Sequence, residues 1–143
     1  MPTPGALFLV FGGTLTAIAA VAHLACIAIG APAYRYMGAG EKMARAAEAG
    51  KSRPALVTLA IAGVLIVWAT YAFSGAGLLG ELPLRKLALS VISAVFLARA
   101  VAFPLLKPAF PENTQRFWLV SSGICLFIGA LYLFGLVALW PTL

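Results

Sequence analysis

Four long apolar runs, separated by short polar segments, form the hydrophobic pattern of this chain. Each run holds roughly 20 residues, and about 20 helical residues cross a bilayer core of about 30 Å. The predicted spans are about residues 6–30, 55–73, 84–106 and 117–140. The pattern therefore predicts an all-α membrane protein, a bundle of four transmembrane helices that forms a single domain.

The composition excludes a water-soluble fold. Hydrophobic residues make up 63% of the chain and its mean hydropathy is +1.03, whereas soluble domains are about 45–50% apolar. A net charge of +6 would suggest nucleic acid as the partner of a soluble protein. Here most basic residues flank the spans, where anionic lipid headgroups are their natural partners. We therefore expect membrane lipid as a partner and no nucleic acid.

The Lys and Arg residues are divided unequally between the two sides of the predicted bundle. The side with the first and third connections carries Arg35, Lys42, Arg45, Lys51, Arg53, Lys107 and Arg116. The other side carries only Arg85 and Lys86. Because cytoplasmic loops are enriched in basic residues, we predict that loops one and three are cytoplasmic and that both termini lie outside. The expected location is the plasma membrane, as a multi-pass protein of a bacterial inner membrane.

The first connection is predicted to be more than a linker. Gly38 and Gly40 precede an Ala-rich stretch, residues 41–49, and this pattern predicts a short interfacial helix. The two glycines follow Tyr34 and Arg35 and could form a nest of backbone N–H groups that binds phosphate or carboxylate. The alternative is an interfacial turn that is anchored by its aromatic side chains.

Two ionisable residues lie inside predicted spans, where a charge costs about 2.5–3.5 kcal/mol and marks a functional candidate. His23 and Arg99 both lie near the cytoplasmic ends of their spans, so we expect them at a similar depth. The fourth span brings Ser121 and Ser122 to the same level, which predicts one polar layer. No acidic residue lies inside a span. Glu41, at the start of the interfacial helix, or Glu112, in the third connection, could fold back to pair with Arg99, and we expect Glu41 to be its gate or counter-charge.

These observations predict a layer near the cytoplasmic leaflet that binds a small anionic or amphipathic ligand, such as a lipid, an isoprenoid or a quinone-like molecule. The expected ligand-binding residues are His23, Arg99, Glu41, Tyr34, Arg35, Ser121 and Ser122. Arg99 would anchor the anion and His23 would be a hydrogen-bond or proton partner, beside a lipid-sized cavity in the bundle. We expect no cofactor and no metal site, because one His and two Cys provide too few ligands.

Three other functions fit the same sequence. His23 could be the acid or base of an enzyme that acts on a lipidic substrate, with Glu41 as the nearest second group. An inward-facing Arg99 could select anions in a channel or transporter that assembles as a homo-oligomer. The chain could also be an accessory subunit of a larger membrane complex. The sequence assigns no catalytic residue.

The number of spans and the chain length resemble two groups of small membrane proteins. The small multidrug exporters also have four spans, but they rely on an intramembrane Glu near the start of the first helix, and none is present here. The eicosanoid and glutathione membrane enzymes are of similar size, but their Arg- and Asn-bearing helix motifs have no match in this chain. The resemblance ends at size, and proton-coupled export of cations is not expected.

Overall fold

The computed structural model describes residues 1–143 and contains helices and no strand, which confirms the predicted all-α class. The helices are α1 (Pro4–Ile29), α2 (Ala31–Tyr36), α3 (Glu41–Glu48), α4 (Arg53–Gly75), α5 (Arg85–Val101), α6 (Phe103–Leu106) and α7 (Gln115–Leu139). Short 3-10 turns follow α6 at Lys107–Ala109 and α7 at Trp140–Thr142. Thr3 and Thr114 cap the first and last long helices by accepting a backbone N–H through their side chains.

Three helical segments are long and apolar enough to cross a bilayer, namely α1, α4 and Gln115–Thr142. The predicted third span is not one straight helix. The segments Arg85–Val101 and Phe103–Ala109 are bent by 65° and reach the required length only together. Pro104 explains the break, because it has no N–H for the carbonyl of Ala100 and so interrupts the helical ladder. The structure therefore has three candidate spans, or four if the bent pair is one span.

The long helices pack side by side in a closed arrangement. α1 packs against α4 and α7, and α5 packs against α7 and α4, so α1 and α5 occupy opposite corners. We call the end with both chain termini and the α4–α5 connection the terminal end. The opposite end, with residues 30–52 and 102–114, is the loop end. Close contacts at the terminal end depend on glycine, since Gly135 and Gly75 both lie directly against Leu9.

The centre of the bundle is filled by side chains. Tyr132 is completely buried, its hydroxyl donates to the carbonyl of Trp68 at 3.2 Å, and it lies 3.1 Å from the hydroxyl of Thr16. Phe96 packs against the rings of both Tyr132 and Trp68. The lipid-sized cavity that we expected in the bundle is therefore not at its centre. One cleft at each end of the bundle is open to the surroundings.

The short helix predicted in the first connection is present as α3, at the loop end. It packs against α2 and α4, and its buried residue Ala44 lies in a small apolar cluster with Cys26 and Tyr34. Between α2 and α3 the chain turns at Gly38 and Gly40, which have φ of 77° and 94°, values that L residues with a side chain seldom adopt. We call residues 30–50 the loop cap, because they cover the loop end of α1 and α4.

Candidate functional site

Arg99 lies in the last turn of α5 and points into the seam between α5 and α7. Its Nη2 donates to Oγ of Ser121 at 3.0 Å, and its Nη1 lies 3.4 Å from Oγ of Ser122. The guanidinium carbon is 5.3 Å from the ring centroid of Trp118, within the range of a cation–π contact. The structure thus brings together three of the residues singled out from the sequence. We call Arg99, Trp118, Ser121 and Ser122 the Arg99 cluster.

Arg99 has no carboxylate partner. The chain has four acidic residues and each is engaged elsewhere. Their partners are Arg35 and Arg45 for Glu41, Arg35 for Glu48, Arg85 for Glu81, and the backbone N–H of Glu41 for Glu112. The hydroxyl groups that do meet the guanidinium are neutral. The positive charge of Arg99 is therefore not balanced by any side chain of this protein.

The two serine hydroxyls of the cluster still have a hydrogen to donate. The other Ser and Thr side chains inside the helices donate to backbone carbonyls, most of them to the carbonyl four residues earlier; these are Thr14, Thr16, Thr58, Thr70, Ser74, Ser90 and Ser93. Ser121 and Ser122 accept from Arg99 and make no such bond. Their hydroxyl hydrogens are therefore available to an acceptor from outside the chain.

Trp118 adds another donor without an acceptor. The side chain is buried, with 2% of its surface exposed, and its Nε1–H has no hydrogen-bond partner. A buried donor without a partner costs about 1–3 kcal/mol, and such groups are rare in folded proteins. The Arg99 cluster thus combines a positive charge with hydroxyl and indole donors, and it contains no negatively charged acceptor. The groups in it suit the binding of an anion.

His23 does not share this cluster, contrary to the single polar layer that we expected. Its Nδ1 lies 2.7 Å from the carbonyl oxygen of Ala19 in the preceding turn, and no hydrogen bond joins His23 to Arg99. The two residues stand on helices at opposite corners of the bundle. Because α5 ends at Val101, Arg99 is only about 3 Å of helix rise from the end of its helix, whereas His23 is about 9 Å from the end of α1.

Glu41 pairs with Arg35 and not with Arg99, which corrects our expectation of a counter-charge for Arg99. The contact is bidentate, with Nε to Oε2 at 3.0 Å and Nη2 to Oε1 at 2.8 Å, and Nη1 of Arg35 reaches Glu48 at 2.8 Å. The Arg35 guanidinium lowers the pKa of the Glu41 carboxyl. Both carboxylates raise the pKa of Arg35, so its guanidinium stays charged in the loop cap.

The glycine nest that we predicted near Gly40 receives a carboxylate of this chain. Oε1 of Glu112 accepts the backbone N–H of Glu41 at 2.6 Å, at the start of α3. This bond lowers the pKa of the Glu112 carboxyl. Beside it, Nδ2 of Asn113 donates to the carbonyl of Gly38 at 3.0 Å. A cleft of about 190 Å³ lies between these groups and Arg35. Residues 112 and 113 thus hold the loop cap to the connection before α7.

Tyr34 lies apart from the Arg99 cluster as well. Its ring is buried against Cys26 and Ala44, and its hydroxyl lies 3.5 Å from Oγ1 of Thr58. Arg35 follows on the exposed side of α2. The residues predicted as one ligand site are therefore divided among the Arg99 cluster, the loop cap and α1.

An aromatic layer separates the loop cap from the Arg99 cluster, and the sequence analysis missed it. The ring of Phe117 meets that of Trp118 edge-on at 5.5 Å, and the ring of Phe110 lies 6.4 Å from Trp118. Gly38 rests on Phe117, since a Cβ at this glycine would be 2.1 Å from the ring. Gly40 is close to Phe110 in the same way. The sequence signals for this layer were the two turn glycines and the three aromatic residues in and just before α7. These two segments are far apart in the sequence, so nothing local indicated their contact.

Comparison with known proteins identifies no relative. No family model matches the chain, and no curated protein sequence and no solved structure is similar to it. The function therefore has to be inferred from the chemistry of the chain itself.

Proposed function

We propose that this protein is a four-span protein of the plasma membrane that binds the anionic group of a small amphipathic ligand at the Arg99 cluster. In this proposal α5 and α6 together form the third span, bent near the membrane surface. The seven basic residues of the loop end, against two at the terminal end, support a cytoplasmic loop end and external termini. The Arg99 cluster then faces the cytoplasmic leaflet.

The unbalanced charge of Arg99 is the observation that carries the proposal. A charge at membrane depth is costly unless it is paired or reaches the headgroup region. All four acidic side chains are engaged elsewhere, and the groups around the guanidinium are hydrogen-bond donors in need of acceptors. An anion would neutralise Arg99 and accept from Ser121, Ser122 and the Trp118 indole.

The alternative of an enzyme that uses His23 has less support. Glu41 was its only candidate for a second catalytic group, and this carboxylate is held by Arg35 in the loop cap. A pore through one protomer is equally poorly supported, because Tyr132 and Phe96 fill the centre of the bundle.

The test is to identify what remains bound to the protein after purification in a mild neutral detergent. Native mass spectrometry of wild type, Arg99→Gln and Arg116→Gln distinguishes a specific anion site at Arg99 from the general attraction of anions to a basic surface. Arg116 is the matched control, because it is exposed at the same end, forms no ion pair and its replacement removes the same charge. We expect one class of anionic amphiphile on wild type and Arg116→Gln and its loss from Arg99→Gln. The same mixture on all three proteins would contradict the proposal.

A further inference from the structure

We infer that the Arg99 cluster is entered from the bilayer and takes a phosphate ester carried on an apolar chain, not a free anion from the water. This inference rests on the proposed function and adds the class of ligand and its route. It depends on which sides of the cluster are covered by protein and which are left to lipid.

The side of the cluster towards the loop end is covered in three layers. Trp118 lies against the guanidinium, Phe117 and Phe110 lie against Trp118, and the turn at Gly38 lies on Phe117. None of these side chains carries a charge that would lead an anion inwards. A water-soluble anion would have to displace the loop cap before it could reach Arg99.

Two bonds keep this cover in place. Asn113 holds the carbonyl of Gly38, and Glu112 holds the backbone N–H of Glu41 at the start of α3. The Glu112 carboxylate also lies where a phosphate would otherwise meet the N-terminus of α3, and its negative charge opposes the entry of a second anion there. The same contacts thus hold the cap closed and disfavour entry of anions from the aqueous side.

The flank of the seam has no such cover. Around Arg99 the exposed apolar side chains include Val101 and Leu105, with 73% and 83% of their surface exposed, and Val120 and Ile124, each with 56%. At Ala102 the chain turns by 65°, so α6 no longer follows α7 as α5 does. Ser121 on this flank is only half-buried. An amphiphile whose chain lies in the bilayer can therefore bring its head to Arg99 without moving the cap.

The number of free donors favours phosphate over carboxylate. Besides the guanidinium, the cluster contains two serine hydroxyls and the Trp118 indole N–H, which are donors without an acceptor in the chain. A phosphate ester presents several acceptor oxygens in a tetrahedral arrangement, whereas the two oxygens of a carboxylate lie in one plane.

The test compares dodecyl phosphate with inorganic phosphate on the delipidated full-length protein in a neutral detergent. Binding is measured by native mass spectrometry and by the shift of the melting temperature, with dodecanol as the uncharged control for the chain. We expect dodecyl phosphate to bind wild type at least about tenfold more tightly than Arg99→Gln. Millimolar inorganic phosphate should not displace it, and dodecanol should give no specific shift.

The outcomes separate the inference from the proposed function. If inorganic phosphate displaces dodecyl phosphate at an equal concentration, Arg99 is still an anion site. Entry of the ligand from the bilayer would then be overturned. Equal binding of dodecyl phosphate to wild type and Arg99→Gln, or binding to neither, would overturn both.

A variant of the cap tests the route separately. Asn113→Ala removes one of the two bonds that hold the cover, and it lies outside the Arg99 cluster. Entry from the bilayer predicts an unchanged association rate for dodecyl phosphate. A clearly faster rate in Asn113→Ala would show that the ligand passes through the cap, which overturns the inference.

Discussion

Arg35 and Arg99 are two arginines of the same loop end, and their surroundings are opposite. Arg35 lies on the exposed side of α2 and has both of its edges taken by Glu41 and Glu48. Arg99 lies in the partly buried α5–α7 seam and meets only neutral hydroxyls and an indole ring. The carboxylates therefore pair with Arg35, whose charge water could already solvate. None pairs with Arg99, whose charge is more costly to bury.

This difference shows which charge belongs to the fold and which is left for a partner. Surface ion pairs contribute little to stability, with a median of about 0–1 kcal/mol, but the Arg35 pairs join α2 to α3 in a connection that has only a small apolar cluster. In the loop cap, the charge of Arg35 is paired with carboxylates of the same chain. The Arg99 cluster has donors that the chain does not satisfy, and we interpret it as the half of a binding site that the protein supplies.

Among the tests of the difference between the loop cap and the Arg99 cluster, the largest effect on stability is expected from a substitution at Gly38. Replacement by Ala places a residue with a side chain at φ 77°, at a cost of about 1–2 kcal/mol, and it forces Phe117 away from Trp118, at a further cost of about 1–3 kcal/mol. Gly50→Ala is the matched control, because it has φ 72° and no neighbour within 4 Å. We expect the melting temperature to fall clearly more for Gly38→Ala. Equal falls would mean that the cap does not rest on the aromatic layer.

A smaller effect is expected when single donors of the cluster are removed. Trp118→Phe deletes the indole N–H and Ser122→Ala deletes a buried hydroxyl, and each hydrogen bond to a ligand is worth about 0.5–1.5 kcal/mol. We expect each variant to bind dodecyl phosphate about two- to tenfold more weakly. Trp140→Phe, at the terminal end, is the control and should bind as wild type does. A ligand that binds Trp118→Phe and Ser122→Ala unchanged does not lie in the seam.

The interior of the bundle provides a prediction independent of either arginine. Tyr132→Phe removes the hydroxyl that joins Thr16 on α1 to the carbonyl of Trp68 on α4. Hydrogen bonds of this kind between membrane helices contribute about 0.6 kcal/mol on average, so the unfolding free energy in detergent should fall by about this amount. Binding of dodecyl phosphate should not change. A loss of binding in Tyr132→Phe would show that the seam and the centre of the bundle are one site.

The smallest effect concerns pH and the loop cap. The pKa values of Glu41 and Glu112 are lowered from the ordinary value of 4.5, by the Arg35 guanidinium and by the Glu41 backbone N–H respectively. Because these carboxyls bind protons more weakly in the folded state, the stability they provide is present above pH 4.5 and is lost as the pH falls through their lowered pKa values. We expect the melting temperature to fall below pH 4.5, and less so in Glu112→Gln. A decrease between pH 8 and 6 instead would point to another group.

The sequence predicts the spans and the short helix well, because hydropathy over about 20 residues and an Ala-rich amphipathic stretch are local signals. It also placed Arg99 at the level of Ser121 and Ser122. Pro104, inside the predicted third span, is the sequence signal for the break at Ala102, which makes α5 shorter than the predicted span.

The partners of the charges could not be predicted in the same way. Glu41 was expected to be the counter-charge of Arg99, but the turn at Gly38 and Gly40 brings it back onto Arg35. The bond from the Glu41 backbone to Glu112 joins residues that are 71 positions apart. Such contacts depend on how two connections meet after the helices have packed, and hydropathy carries no information about this.

The most direct test of the central claim measures melting temperatures of wild type, Arg35→Gln and Arg99→Gln with added phosphatidylglycerol or the uncharged lipid diacylglycerol. A ligand at 100 times its dissociation constant stabilises the folded state by about 2.7 kcal/mol. We predict that the anionic lipid stabilises wild type and Arg35→Gln and leaves Arg99→Gln unchanged, whereas diacylglycerol acts alike on all three. Stabilisation of Arg99→Gln equal to that of wild type would contradict a binding site for anions at Arg99.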